Sequence, residues 1–236
     1  MGYGSTPSHC IESNKERSIR LRSPVSASPC ARRRGVLQFY RILVDGGRGM
    51  FVFVSGAVRS GKSEWAERAA MVFSPEGPRV YLATARILDE EMSRRVERHR
   101  AARRERGFLT IERPKDLEGV LSSLPCSATV LLECLGNWTA NELFGDGGPA
   151  AEADEVVRTI RRTVLSLRAR VANLLIVSND LFCDGVRYDP GTEAYLRALG
   201  ELHVVLVKEA DIAVECACGC PHVQKGSPLV PDVLWG

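Results

Sequence analysis

The chain has 236 residues, 44% of them hydrophobic and 26% charged, a globular composition with enough apolar mass for one sizeable core. A formal net charge of +3 excludes a polycation built for nucleic acid, and no apolar run reaches the roughly 18–20 residues that span a bilayer. Eight scattered cysteines, several of them inside apolar runs (Cys126, Cys134, Cys216), point to reduced thiols in the cytoplasm rather than a disulfide scaffold.

Residues 1–49 are rich in Ser, Pro, Arg and Gly and carry nine Lys/Arg against three Asp/Glu, whereas the chain from Met50 onward is mildly acidic. No period runs through them, which predicts disorder. Arg32-Arg33-Arg34 before Gly35-Val36-Leu37 has the outline of a targeting signal, but Gln38, Tyr40 and Arg41 break the apolar stretch. The segment is read as a basic upstream extension, with Met50 as the natural first residue and 50–236 as a single domain. In that domain Phe51–Val54 reads as a strand buried on both faces. A helix follows from Lys62 to about Phe73, then a strand over Val80–Ala83 and a charged helix from Asp89 to Arg106. Leu117–Leu124 predicts a short helix, Thr129–Leu132 a strand, Asn137–Phe144 a helix and Gly145–Pro149 a flexible loop. A long helix over Ala153–Arg170, a strand over Leu174–Val177, a loop at Cys183–Pro190 and a helix over Thr192–Glu209 lead to a closing strand, Ile212–Cys216. Such β–α alternation implies a three-layer α/β sandwich around a mostly parallel sheet, of the P-loop NTPase (RecA/Rossmann-like) class.

Between the first strand and first helix stands Gly56-Ala57-Val58-Arg59-Ser60-Gly61-Lys62-Ser63. It satisfies G-x-x-x-x-G-K-[ST] in the strand–loop–helix context that the motif needs. The glycines let the backbone wrap a triphosphate, successive N–H groups point inward, and the helix N-terminus adds partial positive charge. Lys62 is expected to reach the β/γ-phosphates and the Ser63 hydroxyl to ligate Mg²⁺. Glu133 ends a buried strand, where an acidic group sits near the phosphate loop, and Thr84, between Ala83 and Ala85, ends another, where open α/β sheets place ligand contacts. Cys216-x-Cys218-x-Cys220 with His222 invites a zinc reading, since i, i+2 and i+4 of a strand share a face. Structural zinc sites instead draw ligand pairs from two segments across turns, so strand and turn are the preferred reading.

Several landmarks, taken in order, resemble the bifunctional adenosylcobinamide kinase / adenosylcobinamide-phosphate guanylyltransferase family of cobalamin biosynthesis. They are Ser55–Ser63, Tyr81-Leu82-Ala83-Thr84-Ala85, Asp89-Glu90-Glu91-Met92, Arg95-Val96-Glu97-Arg98-His99-Arg100, Leu131-Leu132-Glu133-Cys134-Leu135, Asn141-Glu142-Leu143-Phe144, Val177-Ser178-Asn179-Asp180 and Gly219-Cys220-Pro221. The resemblance implies phosphorylation of the aminopropanol hydroxyl of adenosylcobinamide by ATP or GTP. It then implies transfer of GMP from GTP to that phosphate through a guanylylated histidine, with Mg²⁺ assisting. By this match His99 is the nucleophile, Ala83–Ala85, Arg100, Ala101, Ala102, Arg103 and Glu112 are nucleotide contacts, and Glu133 is a nucleotide-binding or metal-shell residue. Partners implied are the corrinoid substrate and two further copies of the chain in a homotrimer, with no nucleic acid and no stable membrane insertion.

From periodicity alone, a helical histidine among Arg94, Arg95, Arg98, Arg100, Arg103, Arg104 and Arg106 is a solvated surface residue, and much of the arginine run pairs with Glu97 and Glu105. A nucleic-acid stripe would interleave aromatic residues with the arginines, and this run has none. Two other readings stay open: a P-loop kinase or nucleotidyltransferase for another small alcohol or phosphate, and a P-loop ATPase module that binds nucleic acid. The chain departs from the family's pattern at Ala57, where a second glycine is usual and a side chain demands negative φ or strain. It departs again at Asp180, where Glu is commoner, and at His203, where Asn is common.

Overall fold

The computed structural model describes residues 49–86, 90–145, 151–182 and 185–235. The expected extension up to residue 48, most of the 145–149 loop, Asp89 and Cys183 lie outside the described residues.

Seven strands form one sheet: β1 (Met50–Gly56), β2 (Arg79–Ala83), β3 (Phe108–Glu112), β4 (Thr129–Glu133), β5 (Asn173–Asn179), β6 (Ile212–Ala217) and β7 (Cys220–Lys225). Their order is β3-β2-β4-β5-β1-β6-β7, and every neighbouring pair is parallel except β6–β7. Helices α1 (Lys62–Phe73), α2 (Glu90–Glu105), α3 (Leu135–Phe144), α4 (Ala153–Arg170) and α5 (Pro190–Glu209) connect them, with a 3-10 helix at Leu117–Ser123. The central strands are apolar at every position because both faces are covered. Phe51 and Phe53 point into a core shared with α3, α4 and α5, while Val52 and Val54 pack against Trp65, Ala66 and Ala69 of α1. This is the three-layer sandwich that the β–α alternation implies.

Two strands escape the sequence reading. β3 and β7 are the edges of the sheet, half covered, with Leu109 and Glu112 or Cys220 and His222 exposed, so neither carries an apolar run. Ile212–Cys216 therefore does not close the sheet; β7 turns back on it antiparallel, with Pro221 tolerated at an edge. Two helices also begin earlier than expected, for capping reasons. Cys134 Sγ accepts from Asn137 N and starts α3 at Leu135. Asp189 Oδ1 accepts from the N–H groups of Gly191 and Thr192, and Pro190 occupies the first turn of α5.

Candidate nucleotide site

All the parallel strands end on one side of the sheet, and there the predicted residues gather. Ala83 is in register with both Glu112 and Glu133, Glu133 with Val177, and Gly56 with both Asn179 and Cys216. Ligands in open α/β sheets bind outside these carboxyl ends.

The phosphate loop is built as its motif requires. A Cβ on Gly56 would stand 2.5 Å from both the Cys216 carbonyl oxygen and Ser60 Oγ, so no side chain fits there. Ala57 keeps negative φ; the strained residue is Arg59 at φ 62°, two positions later. The Ala57 carbonyl accepts from Ser60 N (3.2 Å) and from Lys62 Nζ (3.0 Å), so the lysine arches back over the cradle. Ser60 Oγ is buried without a hydrogen-bond partner among the described residues, while Ala57, Val58 and Arg59 are exposed. Gly61 precedes α1, whose first two residues are Lys62 and Ser63.

A continuous side-chain path leads out from this loop. Ser63 Oγ donates to Glu133 Oε1 at 2.5 Å, and Tyr81 OH donates to Glu133 Oε2 at 2.8 Å. Over the Tyr81 ring lies the Arg103 guanidinium, 3.7 Å from its centroid. Burial, with Glu133 adding, pushes the Tyr81 hydroxyl well above its ordinary pKa of 10, so it stays a donor. In the sequence Tyr81 belongs to a landmark but has no evident role, because an apolar strand shows no sign of which hydroxyl reaches a carboxylate two strand positions further along.

The remaining predicted residues divide. Thr84 is fully buried and stitches β2 to β4: its hydroxyl donates to the Cys134 carbonyl and accepts from Cys134 N, both at 2.8 Å. Its side chain is thus engaged, and Ala85 next to it is half-buried. Arg100 forms an ion pair with Glu112, and both line an open cavity of about 280 Å³ with Arg104, Phe108, Leu109 and Thr110. Arg103 is buried, unlike the exposed Ala101 and Ala102. His99 is exposed on α2, one turn before Arg103 on the same helix stripe and so about 6 Å from it along the helix axis.

Two further features lie beside the loop. The β6–β7 hairpin turns through Cys218 (φ 52°) and Gly219 (φ 84°), and Gly219 N donates to the Ser60 carbonyl at 3.0 Å. Cys216 is buried in the layer shared with α1, whereas Cys218 and Cys220 are exposed. The cysteines thus do not converge, and among the described residues no three His, Cys, Asp or Glu side chains could hold one metal ion. Below Asp180, whose N–H donates to the Gly56 carbonyl, His203 Nε2 lies 2.7 Å from Ser178 Oγ. Its ring stands edge-on to Phe53 and Phe182, and burial lowers its pKa to about 4 against an opposing pull from Asp180.

The model of a family described as cobinamide kinase / cobinamide phosphate guanyltransferase matches residues 52–223, which include every element from β1 into β7. The bifunctional adenosylcobalamin biosynthesis protein CobP of Pseudomonas aeruginosa is 31% identical over 179 residues, covering 75% of this chain and 98% of that one. CobU of Escherichia coli, with the same description, is 38% identical over 100 residues, covering 42% of this chain and 53% of that one. Among solved structures, the flagellar accessory protein FlaH from Methanocaldococcus jannaschii covers 86% of each chain at 12% identity and a TM-score of 0.43. With nearly three quarters of its length matched, the chain belongs to the cobinamide kinase / cobinamide phosphate guanyltransferase family.

Proposed function

We propose that this chain carries out both reactions of its family, phosphorylating adenosylcobinamide and then joining GMP to the new phosphate. The reading rests above all on the Ser63–Glu133 contact: it sets a hydroxyl and a carboxylate face to face where the triphosphate enters, with the helix bearing His99 anchored one residue pair away. The donors are all oxygen and are few, which suits Mg²⁺ shared with phosphates. Ser63 and Glu133 would hold the ion, which supplies charge neutralisation on the transferring group.

In the kinase step the substrate hydroxyl oxygen attacks the γ-phosphorus, the bond to the bridging oxygen breaks, and the hydroxyl proton passes to solvent. Lys62 and the loop N–H groups stabilise the departing diphosphate, from ATP or GTP. In the second step a neutral imidazole nitrogen of His99 attacks the α-phosphorus of GTP and pyrophosphate leaves. The phosphate of the corrinoid then attacks the same phosphorus, and the P–N bond breaks with its electron pair returning to the ring. Arg100 and Glu112, lining the cavity beside α2, and Ala83–Ala85, at the end of β2, are the proposed nucleotide contacts near the histidine, with Ala101 and Ala102 completing the stretch; the Arg103 side chain, buried over Tyr81, is read as an anchor and not as a contact.

Arg94 pairs with Glu90 and Arg100 with Glu112 on α2, and Arg106 just past it with Glu67; that no nucleic acid binds here is part of the proposal. Among the described residues no helix is long and apolar enough to cross a membrane. Homotrimeric assembly and a cytoplasmic location complete the proposal, on the strength of the family resemblance.

The test is incubation with α-labelled GTP and Mg²⁺. The expected product is an acid-labile, base-stable label on the wild-type protein that is missing from His99→Ala. Lys62→Ala should lower both activities by about a hundredfold, since both triphosphates share one loop. A wild-type protein that binds GTP and takes up no label would sink the guanylyltransferase half, and one activity left intact in Lys62→Ala would argue for two sites.

A further inference from the structure

Helix α2 is an unusual element to carry a nucleophile. Its sequence, Glu-Glu-Met-Ser-Arg-Arg-Val-Glu-Arg-His-Arg-Ala-Ala-Arg-Arg-Glu, has no apolar stripe that could seat it on the sheet. Glu90, Glu91, Arg94, Glu97, His99, Ala101 and Ala102 are all exposed. Among the described residues, polar anchors hold the helix end: Arg100 on Glu112, Arg106 on Glu67, and Arg103 on Tyr81. Only the last is buried on both sides, Arg103 being 8% exposed and Tyr81 5%. Arg103 Nε has no hydrogen-bond partner among the described residues, and the Tyr81 ring face lies against the guanidinium. Cation–π attraction is strongest in such desolvated places.

The same tyrosine faces the other half of the site. Its hydroxyl takes Glu133 Oε2, which leaves Oε1 turned toward Ser63. A carboxylate on a single strand end has free χ rotation; one oxygen pinned at 2.8 Å removes it. Tyr81 is therefore touched by the helix that bears His99 and by the carboxylate at the phosphate loop, and it is fixed between them by the β2 backbone.

We infer that Tyr81 is a positioning residue that joins the two halves of the site: its hydroxyl aims Glu133 at Ser63, and its ring seats Arg103 so that His99 stands at the level of the triphosphate. This rests on the reading of His99 as nucleophile and of Glu133 as a metal-side group. Tyr81 touches no reacting atom. It makes the placement of the nucleophile and the orientation of the carboxylate depend on one side chain.

The two contacts separate by substitution. Tyr81→Phe keeps the ring beneath Arg103 and loses the hydroxyl, so Mn²⁺ held in the GTP complex, read from the electron paramagnetic resonance of the free ion, should bind about tenfold more weakly. Both activities of that variant should recover as metal is raised. Arg103→Met empties the aromatic face and leaves Glu133 in place. Labelling of His99 by α-labelled GTP in a single turnover should then fall at least about tenfold more than kinase activity does. Arg103→Lys, which returns a cation to the ring, should restore labelling to within about threefold. Wild-type Mn²⁺ binding in Tyr81→Phe would overturn the hydroxyl's role, and equal loss of both activities in Arg103→Met, unrelieved in Arg103→Lys, would overturn the ring's. A wild-type enzyme that never takes label defeats the histidine reading instead; the Mn²⁺ measurement still decides whether Tyr81 sets Glu133.

Discussion

Ala57 and His203 stand where the family pattern favours glycine and asparagine, and the fold absorbs them differently. Ala57 fits with negative φ, because the strain of this loop falls on Arg59, whose positive φ costs about 1 kcal/mol. The sequence shows the substitution but not which residue of the loop turns left-handed. His203 brings a titratable ring into a half-buried place between two phenylalanines, hydrogen-bonded to Ser178. Its pKa falls from the ordinary 6.5 to about 4, so the folded chain holds it neutral while the unfolded chain takes up a proton between those values. Stability from this residue is thus fully present above pH 6.5 and is lost as pH drops toward 4, by about 2 kcal/mol after allowance for partial solvent access. Thermal unfolding measured between pH 7.5 and 5 should show a falling Tm in the wild type and a shallower fall in His203→Gln, which keeps a polar group near Ser178. Equal slopes would show that His203 does not titrate with folding.

At the scale of the element, the hairpin β6–β7 does something its sequence conceals. Cys216-x-Cys218-x-Cys220 draws attention as a metal pattern, yet the residue that matters to the phosphate loop is Gly219. Its N–H donates to the Ser60 carbonyl, and its φ of 84° is open to few side chains. Among the described residues beyond its chain neighbours, no atom lies within 4 Å of where its Cβ would stand, so substitutions there test backbone strain without a clash. Gly219→Val should destabilise the protein by about 1–2 kcal/mol and raise the Kd for GTP, whereas Gly219→Asn should cost less than half as much. Unfolding and nucleotide titration of the pair would check this, and equal penalties would mean that the turn relaxes. β3 and β7 were invisible to pattern reading for a related reason. An edge strand is covered on fewer sides and needs no apolar run, so Phe108–Glu112 and Cys220–Lys225 look like loops until their neighbours are known.

Across the whole molecule, α4 and the entries of β1 and β6 are tied together by a partly buried ion pair that local patterning cannot reveal. Arg168 near the end of α4 is 9% exposed and reaches Asp211 Oδ1 and Oδ2 at 2.9 and 3.0 Å. Asp211 Oδ2 also accepts from Phe51 N at 2.8 Å, which ties the entry of β6 to the start of β1. Asp211→Ala would take the carboxylate from the guanidinium, which keeps the Glu209 carbonyl, and would leave the Phe51 N–H without its acceptor; it should cost about 2 kcal/mol, or a Tm lower by roughly 4–8 °C for a domain of this size. A loss under about 1 kcal/mol in denaturant titration would show that water replaces the carboxylate.

The sequence by itself determined the layer order, the phosphate loop and the family, because these rest on local period, on backbone-dictated motifs and on ordered landmarks. Phe51–Val54, Gly56–Ser63 and the alternation of strand and helix are short-range features that composition and spacing carry in full. Only the tertiary structure decided what Tyr81, Thr84, Arg103 and Gly219 do. Each acts on residues between about twenty and one hundred and sixty positions away, brought near by strand register and helix packing. The same residue types, on another sheet order, would face other partners, and so their roles belong to the fold and not to the string of letters.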